Sequence, residues 1–164
     1  MGSGMSATLT LYARDIMTTE VRTVDPGTSV EAAARIMFEH SISGVPVVDE
    51  QNRLIGVVSE FDVLARGGET VSDIMTRSVI TVGEDTDPEA IARMLIEQQI
   101  RRLPVVRDGK VVGIISRSDL IRLFALTRWS CESCGFYTRG FERLNVCPKC
   151  GSETIILERE PPGM

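Results

Sequence analysis

Histidine is nearly absent: the sequence holds one, His40. A Ser-His-Asp or Cys-His nucleophile system would have to use it. His40 sits in an amphipathic helical pattern with no orienting partner nearby, and it reads as a helix C-terminal residue stabilised by the dipole. Hydrolase chemistry is therefore not expected, and no other catalytic set is visible; the chain is not expected to be an enzyme. No apolar run approaches the roughly 18 residues that span a bilayer, and no charged-then-apolar leader precedes a small-residue cleavage site. A cytoplasmic protein without membrane contact is expected. Positive charge is outnumbered, 18 Lys and Arg against 23 Asp and Glu, which argues against a general affinity for the nucleic-acid backbone. A phosphate-cradling loop is missing too. Gly109-Lys110 lacks the upstream glycine such a loop needs, and it belongs to Asp108-Gly109, a hairpin-turn dipeptide. What is present is 43% apolar and 25% charged residues over 164 positions, enough for a folded domain with a small satellite. Met1-Gly2-Ser3-Gly4 reads as a cloning remnant (residues 1–4) before a natural start at Met5.

The chain repeats itself. At an offset of 58, residues 15–48 align with 73–106, and 17 of the 34 positions are identical. Asp15-Ile16-Met17-Thr18 returns as Asp73-Ile74-Met75-Thr76, and Pro46-Val47-Val48 as Pro104-Val105-Val106. Past the second hairpin turn the offset becomes 57, and Gly56, Ser59 and Asp62 fall on Gly113, Ser116 and Asp119. A self-similarity of this kind sets the architecture before any element is assigned. In each unit a β-branched stretch, Val21–Val24 or Val79–Val82, leads to a capping box and a helix running to about Glu39 or Glu97. Two apolar runs follow, Val45–Val48 and Leu54–Val58 in the first copy, and Ser59-Glu60-Phe61-Asp62 opens a second helix. The order is strand, helix, strand, strand, helix. Ala65–Val71, with Gly67-Gly68, reads as the connector. A unit of about 60 residues has little core of its own, so the copies are expected to pack against each other.

With its Asp-Ile-Met-Thr openings, its Val-Pro-Val-Val and Leu-Pro-Val-Val strands and its Gly-x-x-Ser-x-x-Asp signatures at 56–62 and 113–119, residues 10–126 resemble a tandem pair of CBS domains, the Bateman module. The resemblance implies an α+β fold of two βαββα CBS repeats, 10–66 and 67–126, packed as a pseudo-two-fold pair. It also implies a regulatory module that binds adenosine-containing ligands, AMP, ADP, ATP or S-adenosylmethionine, and usually forms a dimer of pairs. Ser59 and Ser116 stand at helix starts where a phosphate could sit, and Asp62 and Asp119 could accept from a ribose diol. The same Ser-x-x-Asp is also an ordinary helix cap, and both roles are expected together. The family places Thr23 and Thr81 beside the sugar or base, and Val45 and Leu103 where backbone groups meet an adenine edge. The copies differ in charge: Arg101, Arg102 and Arg117 replace Ser43, Gly44 and Glu60. Arginine pairs bidentately with phosphate and glutamate repels it, so the second site is expected to bind phosphate the better.

All four cysteines follow the repeats, as Cys131-x-x-Cys134 and Cys147-x-x-Cys150 with twelve residues between the pairs. Two such knuckles, each followed by glycine, place four thiolates around one ion. Residues 128–160 are too few to fold on apolar burial alone, so the metal is expected to supply folding free energy. Two disulfides would need an oxidising compartment. The segment resembles a zinc ribbon, and in Trp129-Ser130-Cys131 and Cys134-Gly135-Phe136-Tyr137 also the iron-binding rubredoxin-like tail of rubrerythrins. A tetrahedral S₄ site takes either ion; zinc is expected first, iron second. Five basic and five acidic residues balance over this segment, so a nucleic-acid interface is not favoured. The expectation is thus a nucleotide-sensing regulator signalling through its ribbon to a protein partner. A nucleotide-gated redox protein and a nucleic-acid-binding ribbon regulator are the alternatives.

Overall fold

A computed structural model describes residues 10–159; the expected cloning remnant lies outside the described residues. Two compact units emerge. One comprises residues 17–84 and 103–114, the other residues 10–16, 85–102 and 115–159. Among the described residues, no helix is long and apolar enough to cross a membrane.

In the first unit, helix α2 (Val30–Glu39) starts where the Ser29 side chain accepts from the Ala32 N–H, satisfying a donor the helix cannot. It buries Ala33 and Met37 and ends at His40, as expected. Strands β1 (Gly44–Val48) and β2 (Leu54–Ser59) pair antiparallel, Gly44 opposite Ser59 and Val45 opposite Val58. Every β1 residue is buried, the signature of a strand covered on both faces. Helix α3 (Glu60–Ala65) follows β2 without a loop.

The core of this unit joins Val24, Met37, Val45, Val47 and Val58 to Val71, Ile74 and Met75. The last three belong to the opening of the second repeat, and Val71–Ile74 is a short helix, α4, which takes in only the last residue of the expected connector, Val71. Burying one such side chain is worth roughly 1.5–3 kcal/mol. Thr76 and Val57 exchange backbone hydrogen bonds of 2.8 and 2.9 Å. Gly56 permits this approach: a Cβ there would lie 2.9 Å from the Thr76 carbonyl and 2.8 Å from Met75 Sδ. The arrangement recurs. Thr18 exchanges bonds of 2.9 and 3.0 Å with Ile114, and Met17 occupies the space beside Gly113. The opening of each repeat thus completes a strand of the other.

The stretches expected as strands at Val21–Val24 and Val79–Val82 are shorter than read. Val24 makes a single parallel bridge to Val47, and only Val82–Gly83 (β3) pairs, with Val105 and Val106 of β4 (Arg102–Arg107). The Val24 N–H donates to Pro46 and its carbonyl accepts from Val48. The next rung would require an N–H from Pro46, or Pro104 in the second copy, and proline has none. Strand β4 turns into β5 (Lys110–Ser116) through Asp108 and Gly109, both at positive φ, the hairpin turn expected.

In the second unit, helix α1 (Ala13–Ile16) donates from Ala13 to Thr86 at 2.8 Å, just as Val71 donates to Thr28 at 2.8 Å in the other. Helix α5 (Pro88–Glu97) is capped by Asp87 and buries Ile91, Ala92 and Leu95. Helix α6 (Arg117–Leu126) passes without a loop into β6 (Thr127–Cys131), the central strand of a three-stranded sheet between β7 (Tyr137–Thr138) and β8 (Ile155–Arg159). Trp129, Ile156 and Leu157 are its buried apolar residues.

Candidate functional site

The Ser-x-x-Asp signatures build identical helix starts. At α3 the Ser59 N–H and Oγ donate to Asp62 Oδ2 at 2.9 and 3.0 Å, and the Asp62 N–H donates back to Ser59 Oγ at 3.2 Å. At α6 the Ser116 N–H and Oγ donate to Asp119 Oδ2 at 2.8 and 3.0 Å, with the return bond at 3.3 Å. Both are capping boxes, so the capping role is present in each copy.

What surrounds the two carboxylates differs. Asp62 is only 2% exposed. Its Oδ1 accepts from Thr76 Oγ1 at 3.3 Å and faces Arg66 Nε at 3.3 Å, so both oxygens are committed inside the protein. Asp119 is half-buried, and among the described residues its Oδ1 has no hydrogen bond. The second carboxylate therefore keeps the acceptor capacity that a diol requires.

The predicted residues of the first copy fall within one unit, and those of the second are divided between the two. In the first copy Thr23 directly precedes the Val24 bridge, Val45 lies on β1, and Gly44 beside it is opposite Ser59. These four residues fall within one unit, at one end of the β1–β2 hairpin. Val45 and Leu103 are fully buried; only their backbone groups are available to a ligand. In the second copy Thr81 and Leu103 lie in one unit, and Arg101, Arg102, Ser116, Arg117 and Asp119 in the other. The Arg117 N–H donates to the Arg101 carbonyl at 3.1 Å and its Nε to the Ile100 carbonyl at 3.2 Å. These bonds seat Arg101 at the helix start and turn Arg117 toward that loop. Thr76 and Arg66 were missed at the sequence level; the recurrence of Thr18 as Thr76 was the available signal for the first.

The cysteines converge as expected. Cys131, Cys134, Cys147 and Cys150 bring their sulfurs within 4.8 Å of one another, and none is in a disulfide. Cys131 and Cys150 Sγ are 3.6 Å apart, Cys134 and Cys147 3.7 Å. A tetrahedron with metal–sulfur bonds of about 2.3 Å has edges of about 3.8 Å, so the donor set fits one ion. Each knuckle closes through a glycine at positive φ: Gly135 donates to Cys131 at 3.0 Å and Gly151 to Cys147 at 2.9 Å. Burial opposes charge on Cys131, but the N–H groups of Cys134 and Ser133 outweigh it and bring the thiol down to about 6. Cys147 is likewise lowered against burial by the N–H groups of Cys150 and Lys149. At Cys150 the Ser152 N–H favours the thiolate, yet burial and the other three sulfurs prevail and lift it to about 12. Four sulfurs gathered this closely could hold a cation. On β8, hydrogen bonds from Ser130 and Arg128, 2.6 and 2.7 Å, hold the Glu158 carboxyl below its ordinary range.

A cavity of about 450 Å³ lies beside the ribbon, lined by residues including Asp87, Leu123, Trp129, Phe141 and Leu157. None of the predicted ligand residues lines it.

The CBS domain profile matches residues 13–68 and 71–126. The L-aspartate semialdehyde sulfurtransferase of Methanocaldococcus jannaschii is 36% identical over 124 residues, which cover 73% of this chain and 24% of that protein. The chain thus spans about a quarter of the length of that relative. Two solved structures are similar throughout the repeats. CBSX2 of Arabidopsis thaliana in complex with AMP is 38% identical with a TM-score of 0.65, covering 68% of this chain and 94% of that one. The CBS domain pair of protein MJ0100 with 5′-methylthioadenosine and S-adenosyl-L-methionine is 35% identical with a TM-score of 0.66, covering 71% and 98%. The mixed α+β fold of this chain is that of these pairs, and the chain belongs to the CBS-domain family.

Proposed function

We propose that the chain is a regulatory protein whose CBS repeats, 10–66 and 67–126, bind an adenosine-containing ligand and whose residues 128–160 form a metal ribbon that passes the signal to a protein partner. The duplicated Ser-x-x-Asp helix start carries this reading, and the ligands of the similar structures, AMP and S-adenosyl-L-methionine, support it. Asp119 takes the ribose, Ser116 and Arg117 the phosphate, and Arg101 or Arg102 closes over the anion. Thr81 and the Leu103 backbone face the sugar or base. Thr23, Val45, Ser59 and Asp62 do the equivalent work in a poorer site, poorer because Asp62 is already committed. The ribbon takes zinc, in the cytoplasm, where thiols stay reduced. Calorimetric titration with AMP, ATP and S-adenosylmethionine tests the ligand. Binding of unequal strength at two sites is expected, and no heat with any of the three overturns the reading. Ferric absorbance in the visible range would assign the metal to iron and favour a redox role.

The same reading includes a homodimer. Phe38 and Leu64 on α2 and α3 are 85% and 87% exposed, and their equivalents Ile96 and Ile121 on α5 and α6 are 74% and 67% exposed. Four large apolar side chains at matching positions are too many for a solvated surface, and a second copy covers them symmetrically. Sedimentation at micromolar concentration is expected to give twice the 18.0 kDa chain mass. The Leu64→Glu, Ile121→Glu variant is expected to give the monomer, and a monomeric parent overturns the assignment.

A further inference from the structure

Helix α6 is longer than its counterpart. At the offset of 57, α3 ends at Ala65, equivalent to Arg122, whereas α6 continues through Leu123–Leu126. This extra turn has no basic residue of its own and no glycine cap. Its carbonyls, which a helix cannot satisfy internally, are met by the ribbon instead. Arg139 Nη1 donates to the carbonyls of Phe124, Ala125 and Thr127 at 3.2, 3.1 and 2.9 Å, placing a cation at the negative end of the helix dipole. Phe141 packs its ring against that of Phe124 at 5.9 Å, and Gly140 accepts from Trp129 Nε1 at 3.1 Å. Thr127 Oγ1 closes back onto the Leu123 carbonyl at 2.7 Å.

Residues 139–141 lie between the two cysteine pairs, in the loop that the ion would pin at both ends. No loop intervenes between the ligand-bearing start of α6 and the first cysteine. Ser116 and Asp119 open the helix, about 15 Å of helix follow, and β6 runs directly on to Cys131. A helix held at its C-terminal turn presents its N-terminal groups in one arrangement and loses less freedom when a ligand binds there.

We propose that metal loading of the four cysteines and adenosine-ligand binding at the start of α6 are coupled through this extra turn, with Arg139 as the positioning residue. The inference rests on the ligand reading given above. Coupling between sites is reciprocal: the ion tightens the ligand, and the ligand tightens the ion by the same factor.

Calorimetry with AMP on the zinc-loaded and the chelated full-length chain is the test. Chelation is expected to weaken the tighter AMP event about fivefold or more, the lower end of ordinary coupling. Arg139→Gln, still holding one equivalent of zinc, is expected to bind AMP as the chelated parent does and to show no further change on chelation; Arg139→Lys restores part of the difference. AMP is expected to raise the zinc affinity of the parent, measured against a competing chelator, by the same factor and that of Arg139→Gln not at all. Equal AMP affinity in loaded and chelated parent overturns the coupling while leaving the ligand reading intact. Coupling that persists in Arg139→Gln overturns the role of Arg139. A loaded parent that binds none of AMP, ATP and S-adenosylmethionine overturns the ligand reading itself, and the coupling with it.

Discussion

Stripping the metal is expected to unfold the ribbon while the repeats stay folded. The buried apolar residues of the ribbon sheet are Trp129, Ile156 and Leu157, beside the buried ligands Cys131 and Cys147. A core of this size does not order some thirty residues by itself. A structural zinc site contributes on the order of 10–16 kcal/mol of apparent binding free energy, and that free energy is folding free energy. Trp129 is the one tryptophan of the chain, so its fluorescence reports on the ribbon alone. Chelation, or Cys147→Ser, is expected to shift its emission to that of a solvated indole and to expose residues 127–159 to protease, with the repeats retaining their helical circular dichroism. Unchanged Trp129 emission in protein verified to be metal-free would show that the ribbon folds on apolar packing alone.

Asp119→Ala and Asp62→Ala are expected to fail in different ways. Among the described residues Asp119 Oδ1 has no hydrogen bond, so Asp119→Ala removes a charge-assisted contact of roughly 1.5–3 kcal/mol and weakens AMP about tenfold to a hundredfold, while loss of the capping bonds from Ser116 lowers the melting temperature less than Asp62→Ala does. Asp62 is buried under Ser59, Thr76 and Arg66. Its removal leaves the half-buried Ser59 N–H and hydroxyl without their acceptor and loses the Thr76 and Arg66 contacts as well, a cost of roughly 1–3 kcal/mol, and lowers the melting temperature while the main binding event survives. Paired calorimetry and thermal unfolding separate the outcomes. If Asp119→Ala binds like the parent and Asp62→Ala loses the main event, the assignment of the sites is reversed.

The parts of this molecule legible from the sequence are those written in local codes. Ser-x-x-Asp states its own capping box, Asp108-Gly109 its own turn, and two C-x-x-C pairs their own ion site, because each feature is satisfied within a few residues or by a shared atom. The limits of the Val24 and Val82 pairings depend on a proline in another strand, and periodicity carries no information about the partner. For the same reason the packing of Met75 against Gly56 was not visible, although the repetition of Asp-Ile-Met-Thr marked those residues. Arg139 offered no signal: an arginine in a loop reads as solvated until the carbonyls it meets are known. A stronger second site was expected from Arg101, Arg102 and Arg117, and the confinement of Asp62 is a separate reason to expect it, which no charge comparison reaches.

The exchange of opening segments also sets an order of assembly. Thr18 meets Ile114, 96 positions further along the chain, whereas Thr76 meets Val57 only 19 positions back. During synthesis the second contact becomes available almost as soon as its residues emerge, so the hairpin of the first repeat closes early on Met75. The first cannot form until Ile114 has been made. Contacts of such separation carry a large loop-closure cost and slow the step that forms them. Within the repeats, the N-terminal segment therefore docks long after the first hairpin has closed, and the interval before it docks is the period in which the nascent repeats are most open to pairing with a neighbour.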